Sequence, residues 1–215
     1  MDTLRLNALK PEDVRTAARL LRDGKLVAFP TETVYGLGAR ADSLDAMRAL
    51  YAVKRRPPEK RVTLLIADPQ DSERYAGKLT ETAAQLDQAF WPGPLTLILP
   101  AVDGGDVGLR CPDCEAARNM LREADVPVVA PSANISGEPP ALSAEDVLEV
   151  LDGKIAAVLD GGPAQLGQPS TVVSVLSDDV EVLREGAISG RQVYAALGQG
   201  SEEPAEEEGE EDSEL

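Results

Sequence analysis

The sequence predicts an α/β protein, a single domain in which helices flank one twisted, mixed, open β-sheet. Segments with helical spacing of apolar residues alternate with short apolar segments along residues 11–197, and short loops join them, which is typical of layered α/β folds. Apolar residues make up 43% of the 215 residues, enough for one core. The last two apolar segments, 171–176 and 180–184, are spaced like a hairpin, so the sheet should contain antiparallel as well as parallel neighbours.

The first helix is predicted over residues 11–23. Pro11 suits the first turn, where a missing N–H costs nothing, and Glu12 and Asp13 favour the positive end of the helix dipole. Gly24 predicts the end of the helix. One face carries apolar residues at helical spacing, namely Val14, Ala17, Ala18 and Leu21.

The remaining elements follow from the same two patterns. Ser143 and Asp146 add a capping signal, because a serine before a helix and an acid in its first turn satisfy free N–H groups. Further helices are predicted over 43–53, 80–90, 114–124, 144–151 and 189–197, and strands over 26–29, 62–67, 95–99, 107–111, 126–130, 155–159, 171–176 and 180–184.

Residues 201–215 predict a disordered acidic tail on a domain that spans residues 1–200. The tail holds nine of the 38 acidic residues and no basic one, which leaves 29 acids against 21 bases in the domain. A segment of like charges with few apolar residues gains too little free energy from packing to offset the conformational entropy that it would lose on ordering. A partner-binding arm is the alternative interpretation of this segment.

The composition excludes several classes of site. The chain has no histidine, the commonest general base and the commonest zinc ligand, so chemistry here must use carboxylates, hydroxyls, lysine and arginine, or groups of a bound metal or substrate. The acidic domain argues against broad nucleic-acid binding, which needs basic residues against phosphates. No apolar run approaches the ~20 residues of a membrane span, and the N-terminal residues do not resemble a signal peptide. We therefore expect a cytoplasmic protein with no membrane contact.

Cys111 and Cys114 form the motif CPDC. Such a pair can be redox-active or can supply half of a zinc site. A zinc site would need two more cysteine or histidine ligands, and the sequence has none. Two incidental small residues are the more frequent explanation, and a redox pair is the alternative.

Three polar segments follow or join predicted strands. Residues 27–38, VAFPTETVYGLG, run from an apolar strand into a loop with Thr31, and open α/β sheets bind ligands at that edge. Residues 54–61, KRRPPEKR, form a local positive island that suits a polyphosphate. Residues 130–137, APSANISG, place Ser132 and Asn134 directly after a strand. Each also has a simpler explanation: an ordinary strand exit, a solvated basic turn, or a turn with local hydrogen bonds only.

Together with FWPGPLT (90–96), VGLRCP (107–112), STVV (170–173) and LREGAIS (183–189), these segments resemble in order and spacing the YrdC/TsaC family of threonylcarbamoyl-adenylate synthases. The resemblance covers about residues 20–190. It implies that Lys54, Arg56, Ser132 and Asn134 form the family's catalytic and ATP-binding tetrad, with Arg184 also near the nucleotide. It further implies a threonine pocket lined by Thr31, Arg110, Ala130 and Ser170. In the basic loop, Arg55, Lys60 and Arg61 lie outside the family's motif.

The activity that this resemblance implies joins L-threonine, bicarbonate and ATP into threonylcarbamoyl-adenylate and pyrophosphate. The adenylate then serves a downstream transferase machinery that makes threonylcarbamoyladenosine in tRNA. ATP is expected to bring Mg²⁺ with it, and no metal held by the protein is expected. The chemistry suits a chain without histidine, because the carbamate of threonine can itself attack the α-phosphate.

Two alternatives belong to other functional classes. A non-catalytic module that binds tRNA or double-stranded RNA is one, although the acidic domain favours at most weak tRNA binding. A carbamoyl-transfer domain like that of hydrogenase-maturation proteins is the other, but those proteins carry zinc-binding and acylphosphatase segments for which this chain has no room.

Removal of the tail should leave the domain intact. A chain truncated after Gly200 is expected to keep the thermal midpoint of the full chain, because a disordered segment makes no packed contacts. Calorimetry of the two chains checks this, and a clear drop in the midpoint would show that residues 201–215 dock on the domain.

Overall fold

A computed structural model describes residues 2–176 and 179–199, so the predicted tail at 201–215 lies outside the described residues. The strands are β1 Leu4–Asn7, β2 Val27–Phe29, β3 Gly36–Arg40, β4 Leu64–Leu65, β5 Leu95–Pro100, β6 Asp106–Arg110, β7 Val128–Val129, β8 Ala157–Asp160, β9 Thr171–Ser174 and β10 Glu181–Arg184. The helices are α1 Pro11–Arg22, α2 Leu44–Lys54, α3 Glu73–Ala76, α4 Glu81–Phe90, α5 Glu115–Ala124, α6 Ala144–Leu151 and α7 Gly190–Ala196, and a 3₁₀ turn spans Pro69–Ser72. Within these residues, none of the helices is long and apolar enough to cross a membrane.

All the strands join one open sheet in the order β1-β8-β2-β3-β7-β4-β6-β5-β9-β10. The pairs β1/β8, β2/β8, β4/β6 and β5/β9 are parallel, and the other neighbours are antiparallel. The predicted fold class, one α/β domain with a mixed open sheet, is confirmed. The predicted hairpin is also confirmed, as β9 and β10 pair antiparallel.

Two apolar clusters cover the two faces of the sheet. Along β2, Val27 and Phe29 belong to the cluster that contains α1 and α5, whereas Ala28 belongs to the cluster with α2, α4, α6 and α7. Successive strand residues point to opposite faces, so a strand buried on both sides must be apolar throughout. This explains the continuous apolar run that predicted β2.

The capping predictions are confirmed. The hydroxyl of Ser143 accepts the N–H of Asp146 at 3.1 Å, and the Asp146 carboxylate accepts the N–H of Ser143 at 3.0 Å. The N–H bonds from Leu142 and Ser143 also hold the pKa of Asp146 below its usual range. Gly24 has φ of +75°, a conformation that ends α1 and favours glycine.

Several predicted boundaries were wrong. Residues 36–40, which the sequence analysis placed in a loop, form β3, and Leu4–Asn7 forms an edge strand that no pattern predicted. The predicted strands 62–67 and 126–130 shrink to two residues each. Glycine is unfavourable in strands, but Gly38 is needed in β3 because a Cβ there would lie 2.8 Å from the Phe29 ring. Only the packed sheet reveals that requirement.

Gly38→Ala should therefore destabilise the fold, while Gly36→Ala in the same strand should not. The new methyl at Gly38 would meet the Phe29 ring at 2.8 Å and the Val27 carbonyl at 3.2 Å, whereas at Gly36 the nearest atom, Ala130 Cβ, is 3.4 Å away. We expect Gly38→Ala to lower the free energy of unfolding by about 1–3 kcal/mol. Urea denaturation of both variants is the measurement, and equal midpoints would contradict the packing argument.

Candidate active site

Residues from seven separate parts of the chain line one small cavity at the edge of the sheet. Its volume is about 160 Å³. Seven of the nine residues that the sequence analysis assigned to the site lie on its wall: Thr31, Arg56, Arg110, Ala130, Ser132, Ser170 and Arg184. Thr31 follows β2, Ala130 follows β7, and Arg110 and Arg184 are the last residues of β6 and β10. The sheet order therefore brings together residues that the sequence separates widely.

A wider groove of about 560 Å³ shares part of this wall. Arg56 and Arg184 line both spaces, and so do Thr63 and Thr96. The groove continues along Tyr51 and Ile98 to the glycine-bearing turn between β5 and β6. Its size falls in the range of typical ligand pockets, roughly 300–1,000 Å³, whereas the smaller cavity lies below it.

The electrostatics of the small cavity favour an anion. Arg56, Arg110 and Arg184 all line it. The pKa of Arg184 is lowered from its usual value, first by burial and then by the charges of Arg110 and Arg56. An arginine whose pKa is depressed by other arginines lies in a region of excess positive charge, and an anionic ligand would relieve that repulsion.

Arg110 is held by a buried ion pair. Its Nη2 donates to Glu32 Oε1 at 2.7 Å and to Thr33 Oγ1 at 2.8 Å, and its Nε donates to the Gly93 carbonyl at 3.3 Å. Both charged side chains are almost fully buried. Nη1 makes no hydrogen bond within the described residues, so it is free for a ligand in the cavity.

The segment 91–95 forms the corner that supplies the Gly93 carbonyl. Trp91 is buried, and its Nε1 donates to the Leu95 carbonyl at 2.7 Å. The N–H of Gly93 donates to the Cys111 carbonyl at 2.8 Å, which joins the corner to the end of β6. A Cβ on Gly93 would lie 2.3 Å from the Phe90 carbonyl oxygen, so the corner requires glycine. The aromatic residue here supports the fold and does not form a stacking surface.

Ser132 and Asn134 lie in a loop that docks on β3. The N–H of Leu37 donates to the Pro131 carbonyl and that of Ala133 to the Tyr35 carbonyl, each at 2.7 Å. Ser132 Oγ donates to Asn134 Oδ1 at 2.5 Å. The Asn134 amide donates to the carbonyls of Ile135 and Glu138 at 2.9 and 2.7 Å. Ser132 lines the small cavity, whereas Asn134 supports the loop from behind.

Lys54, the last residue of α2, also lies behind this loop. Its side chain is 1% exposed. Nζ donates to the carbonyls of Ser132 and Asn134 and to Asn134 Oδ1, the last two at 2.7 and 3.3 Å. Burial, and then the charge of Arg56, lowers the pKa of Lys54 to about 8. Lys54 and Asn134 are thus the two assigned residues that the structure places outside the cavity wall.

The basic loop presents Arg56 and Arg61 to the cavity. Arg56 Nε donates to the Lys60 carbonyl at 3.0 Å, and its Nη2 donates to the Arg61 carbonyl. Arg61 lies outside the family's motif in the sequence analysis, yet it lines both spaces and forms an ion pair with Asp106. Arg55 ends α2 with φ of +49° and is exposed.

Two buried side-chain oxygens in the described part of the chain lack a hydrogen-bond partner, Glu32 Oε2 and Ser136 Oγ. Buried polar atoms are nearly always paired, so each exception needs a reason. Both fall inside the motifs that predicted the site, PTET and SANISG. Neither residue lines the small cavity or the wider groove, and Glu32 Oε2 belongs to the carboxylate that pairs with Arg110.

Sequence reasoning missed the roles of Glu32, Thr63 and Thr96. Glu32 has a signal in the sequence, an acid inside an otherwise apolar and hydroxyl-rich segment. Thr96 pairs with Ser170 through their hydroxyls at 2.9 Å, a contact between β5 and the start of β9 that no local pattern reveals. Thr63 lines both spaces and has no distinguishing neighbours in the sequence.

The cysteine pair lies away from this cavity. Cys111 is fully buried, its thiol points at the Ala67 carbonyl, and burial raises its pKa to about 12. Burial also raises the pKa of Cys114. Both cysteines are free, and thiols with raised pKa values are poor nucleophiles. Across the described residues, no group of three or more His, Cys, Asp and Glu side chains is arranged to hold a metal.

Comparison with known protein families finds one that matches most of the chain. The Sua5/YciO/YrdC family model, described as "Telomere recombination", matches residues 19–186. The chain belongs to this family. A threonylcarbamoyl-AMP synthase of Bacillus subtilis is 44% identical over 195 residues, which cover 86% of this chain and 56% of the relative. One from Pyrococcus abyssi is 40% identical and is covered over 57% of its length. The chain thus spans about half the length of the curated relatives it matches.

Several solved structures share the fold. P. abyssi Sua5 complexed with L-threonine superposes with a TM-score of 0.86 at 36% identity, over 93% of this chain and 62% of that one. The solution structure of MTH1692 from Methanobacterium thermoautotrophicum gives 0.63 at 36% identity, over 80% of this chain and 85% of that one. Escherichia coli YciO gives 0.77 at 20% identity, over 90% and 98%, which shows the fold alone.

Loss of the buried carboxylate should destabilise the domain. Glu32→Ala leaves the Arg110 guanidinium buried without its counter-charge, and breaking one side of such a pair costs about 3–5 kcal/mol. Asp45→Ala is the control, since Asp45 and Arg48 form an exposed pair at 3.7 Å and exposed pairs contribute little. Urea denaturation measures the free energy of unfolding of both variants. Similar losses would show that the Glu32–Arg110 pair contributes no more to stability than a surface pair.

Proposed function

We propose that this chain forms threonylcarbamoyl-adenylate and pyrophosphate from L-threonine, bicarbonate and ATP. The observation that carries the proposal is the cavity wall. Four arginines and the hydroxyls of Ser132 and Ser170 line it, in a member of the Sua5/YciO/YrdC family. The curated relatives named above are threonylcarbamoyl-AMP synthases. In this proposal the adenylate serves the threonylcarbamoyladenosine modification of tRNA.

The small cavity is assigned to threonine. Its volume of about 160 Å³ suits a small amino acid. The free Nη1 of Arg110 would pair with the carboxylate, and the buried Glu32 pair fixes the guanidinium for that contact. Thr31, Ala130 and Ser170 would surround the side chain. The L-threonine complex of P. abyssi Sua5 supports this assignment by similarity of fold.

The wider groove is assigned to ATP. Arg56 and Arg184 line both spaces, so the triphosphate would lie where the groove meets the small cavity. That arrangement would bring the α-phosphate of ATP next to the amino group of threonine. ATP enters as substrate together with its Mg²⁺. The positive charges of the arginines offset the negative charge of the phosphate groups that face the protein.

The reaction then needs no nucleophile from the protein. The amine of threonine takes up carbon dioxide, derived from bicarbonate, and becomes a carbamate by losing a proton. A carbamate oxygen attacks the α-phosphorus, the bond to the bridging oxygen breaks, and pyrophosphate leaves with the electron pair. The protein contributes position and fixed positive charge, which together account for most of the catalysis in phosphoryl-transfer sites.

The deciding experiment is pyrophosphate release with each substrate omitted in turn. Release that requires threonine, bicarbonate and ATP together supports the proposal. Release that is independent of threonine would contradict it. Binding of tRNA with a steep salt dependence and without pyrophosphate release would favour the RNA-binding alternative instead, because each phosphate contact adds to that slope.

Arg56→Ala should slow pyrophosphate release by on the order of 10²–10³, because it removes one preorganised donor from the place where charge builds on the phosphates. Arg55→Ala is the matched control, since Arg55 is equally basic and adjacent but exposed and absent from the wall of either space. It should retain nearly the full rate. Equal rates for the two variants would show that the basic loop is only a solvated turn.

A further inference from the structure

Lys54 has the sequence position of a phosphate ligand but not the surroundings of one. The three acceptors of Nζ, two carbonyls and the Asn134 side-chain oxygen, match the three protons of an ammonium group. With a pKa of about 8, the group is mostly protonated at neutral pH and can donate all three. No donor therefore remains for a ligand.

Lys54 connects α2 to the loop 132–136 through two groups, its main-chain carbonyl and its side-chain ammonium. Its carbonyl accepts the N–H of Ser136 at 2.9 Å, while its ammonium binds Ser132 and Asn134. Asn134 in turn accepts the hydroxyl of Ser132. The orientation of the Ser132 hydroxyl thus depends on a group that Lys54 holds.

Lys54 differs in this respect from Arg56, two residues later. Arg56 lines both spaces, whereas Lys54 lines neither and is 1% exposed. To reach a phosphate, the ammonium would have to break bonds to buried oxygens that have no other charged donor. Leaving such acceptors unpaired is costly, which opposes that movement.

We propose that Lys54 is a positioning residue, which fixes the 132–136 loop so that Ser132 faces the cavity, and that it does not contact the substrate. The expected effect of Lys54 on the reaction rate rests on the proposed function. Its role in fixing the loop does not, so an experiment can contradict either the proposed function or the role in the loop without contradicting the other.

The first test uses the ligand-free protein. Amide hydrogen exchange by NMR compares Lys54→Met with Arg56→Met, which makes the same change two residues away. We expect the amides of Ala133, Asn134 and Ser136 to exchange on the order of tenfold faster in Lys54→Met, through local opening, and at the wild-type rate in Arg56→Met. Wild-type exchange in Lys54→Met would overturn the proposal, whatever the enzyme assays show.

The second test needs no substitution. In the wild-type protein, the ¹⁵N-bound protons of the Lys54 ammonium should give a slowly exchanging resonance without ligand, because every proton is bonded and buried. Addition of ATP should leave that resonance nearly unchanged. A resonance that appears only with ATP would show direct contact and overturn the proposal, even if Lys54→Met failed to fold.

Kinetics separate positioning from a merely structural role. A loss of folded enzyme lowers the apparent kcat and leaves KM values unchanged. The triphosphate is assigned to the place where the groove meets the cavity that Ser132 lines. A misplaced Ser132 should therefore raise the KM for ATP by on the order of tenfold in Lys54→Met, and the loss should not add to that of Ser132→Ala, because both act through one loop. Lys54→Arg should not rescue the rate, since a planar guanidinium cannot reach the three converging acceptors. Rescue by arginine, or KM values at wild type, would contradict the assignment.

Discussion

The site depends on holding four guanidinium groups around one small cavity against their mutual repulsion. Arg56, Arg61, Arg110 and Arg184 line the cavity. Within the described residues Arg110 pairs with Glu32 and Arg61 with Asp106, whereas Arg56 and Arg184 form no ion pair. Burial, and then the charges of Arg110 and Arg56, lower the pKa of Arg184. An anion bound beside these arginines would reduce their mutual repulsion.

Main-chain carbonyls, more than carboxylates, keep these cations in place. Arg184 donates to the Ser170 carbonyl at 2.7 Å, Arg56 to that of Lys60, and Arg110 Nε to that of Gly93 at 3.3 Å. A carbonyl orients a donor without neutralising it, so the positive charge stays available to a ligand. Most of these carbonyls lie just outside strands or helices, where the hydrogen bonds of regular structure leave them free.

The order of the sheet explains how such distant residues meet. β6 lies between β4 and β5, and β5 pairs with β9, which pairs with β10. The ends of β6 and β10 therefore bring Arg110 and Arg184 to the same region, and the loop after β7 adds Ser132 through its bridge to Gly36. The absence of histidine from the sequence fits the proposed reaction, in which the protein would supply position and charge and the substrate would supply the nucleophile.

The sequence by itself determined the fold class and the helix caps, because apolar spacing and local hydrogen-bonding residues act over a few positions. Arg56 and Ser132 were assigned because their motifs resemble those of a known family, and both line the cavity. Tertiary structure decided that Gly36–Arg40 is a strand, in which the Phe29 ring packs so closely against Gly38 that a Cβ there would lie 2.8 Å from it. It also decided that Glu32 neutralises Arg110, and that Lys54 turns away from the cavity toward carbonyls some 80 residues later in the chain. Such choices depend on partners across the sheet, and no local pattern encodes them.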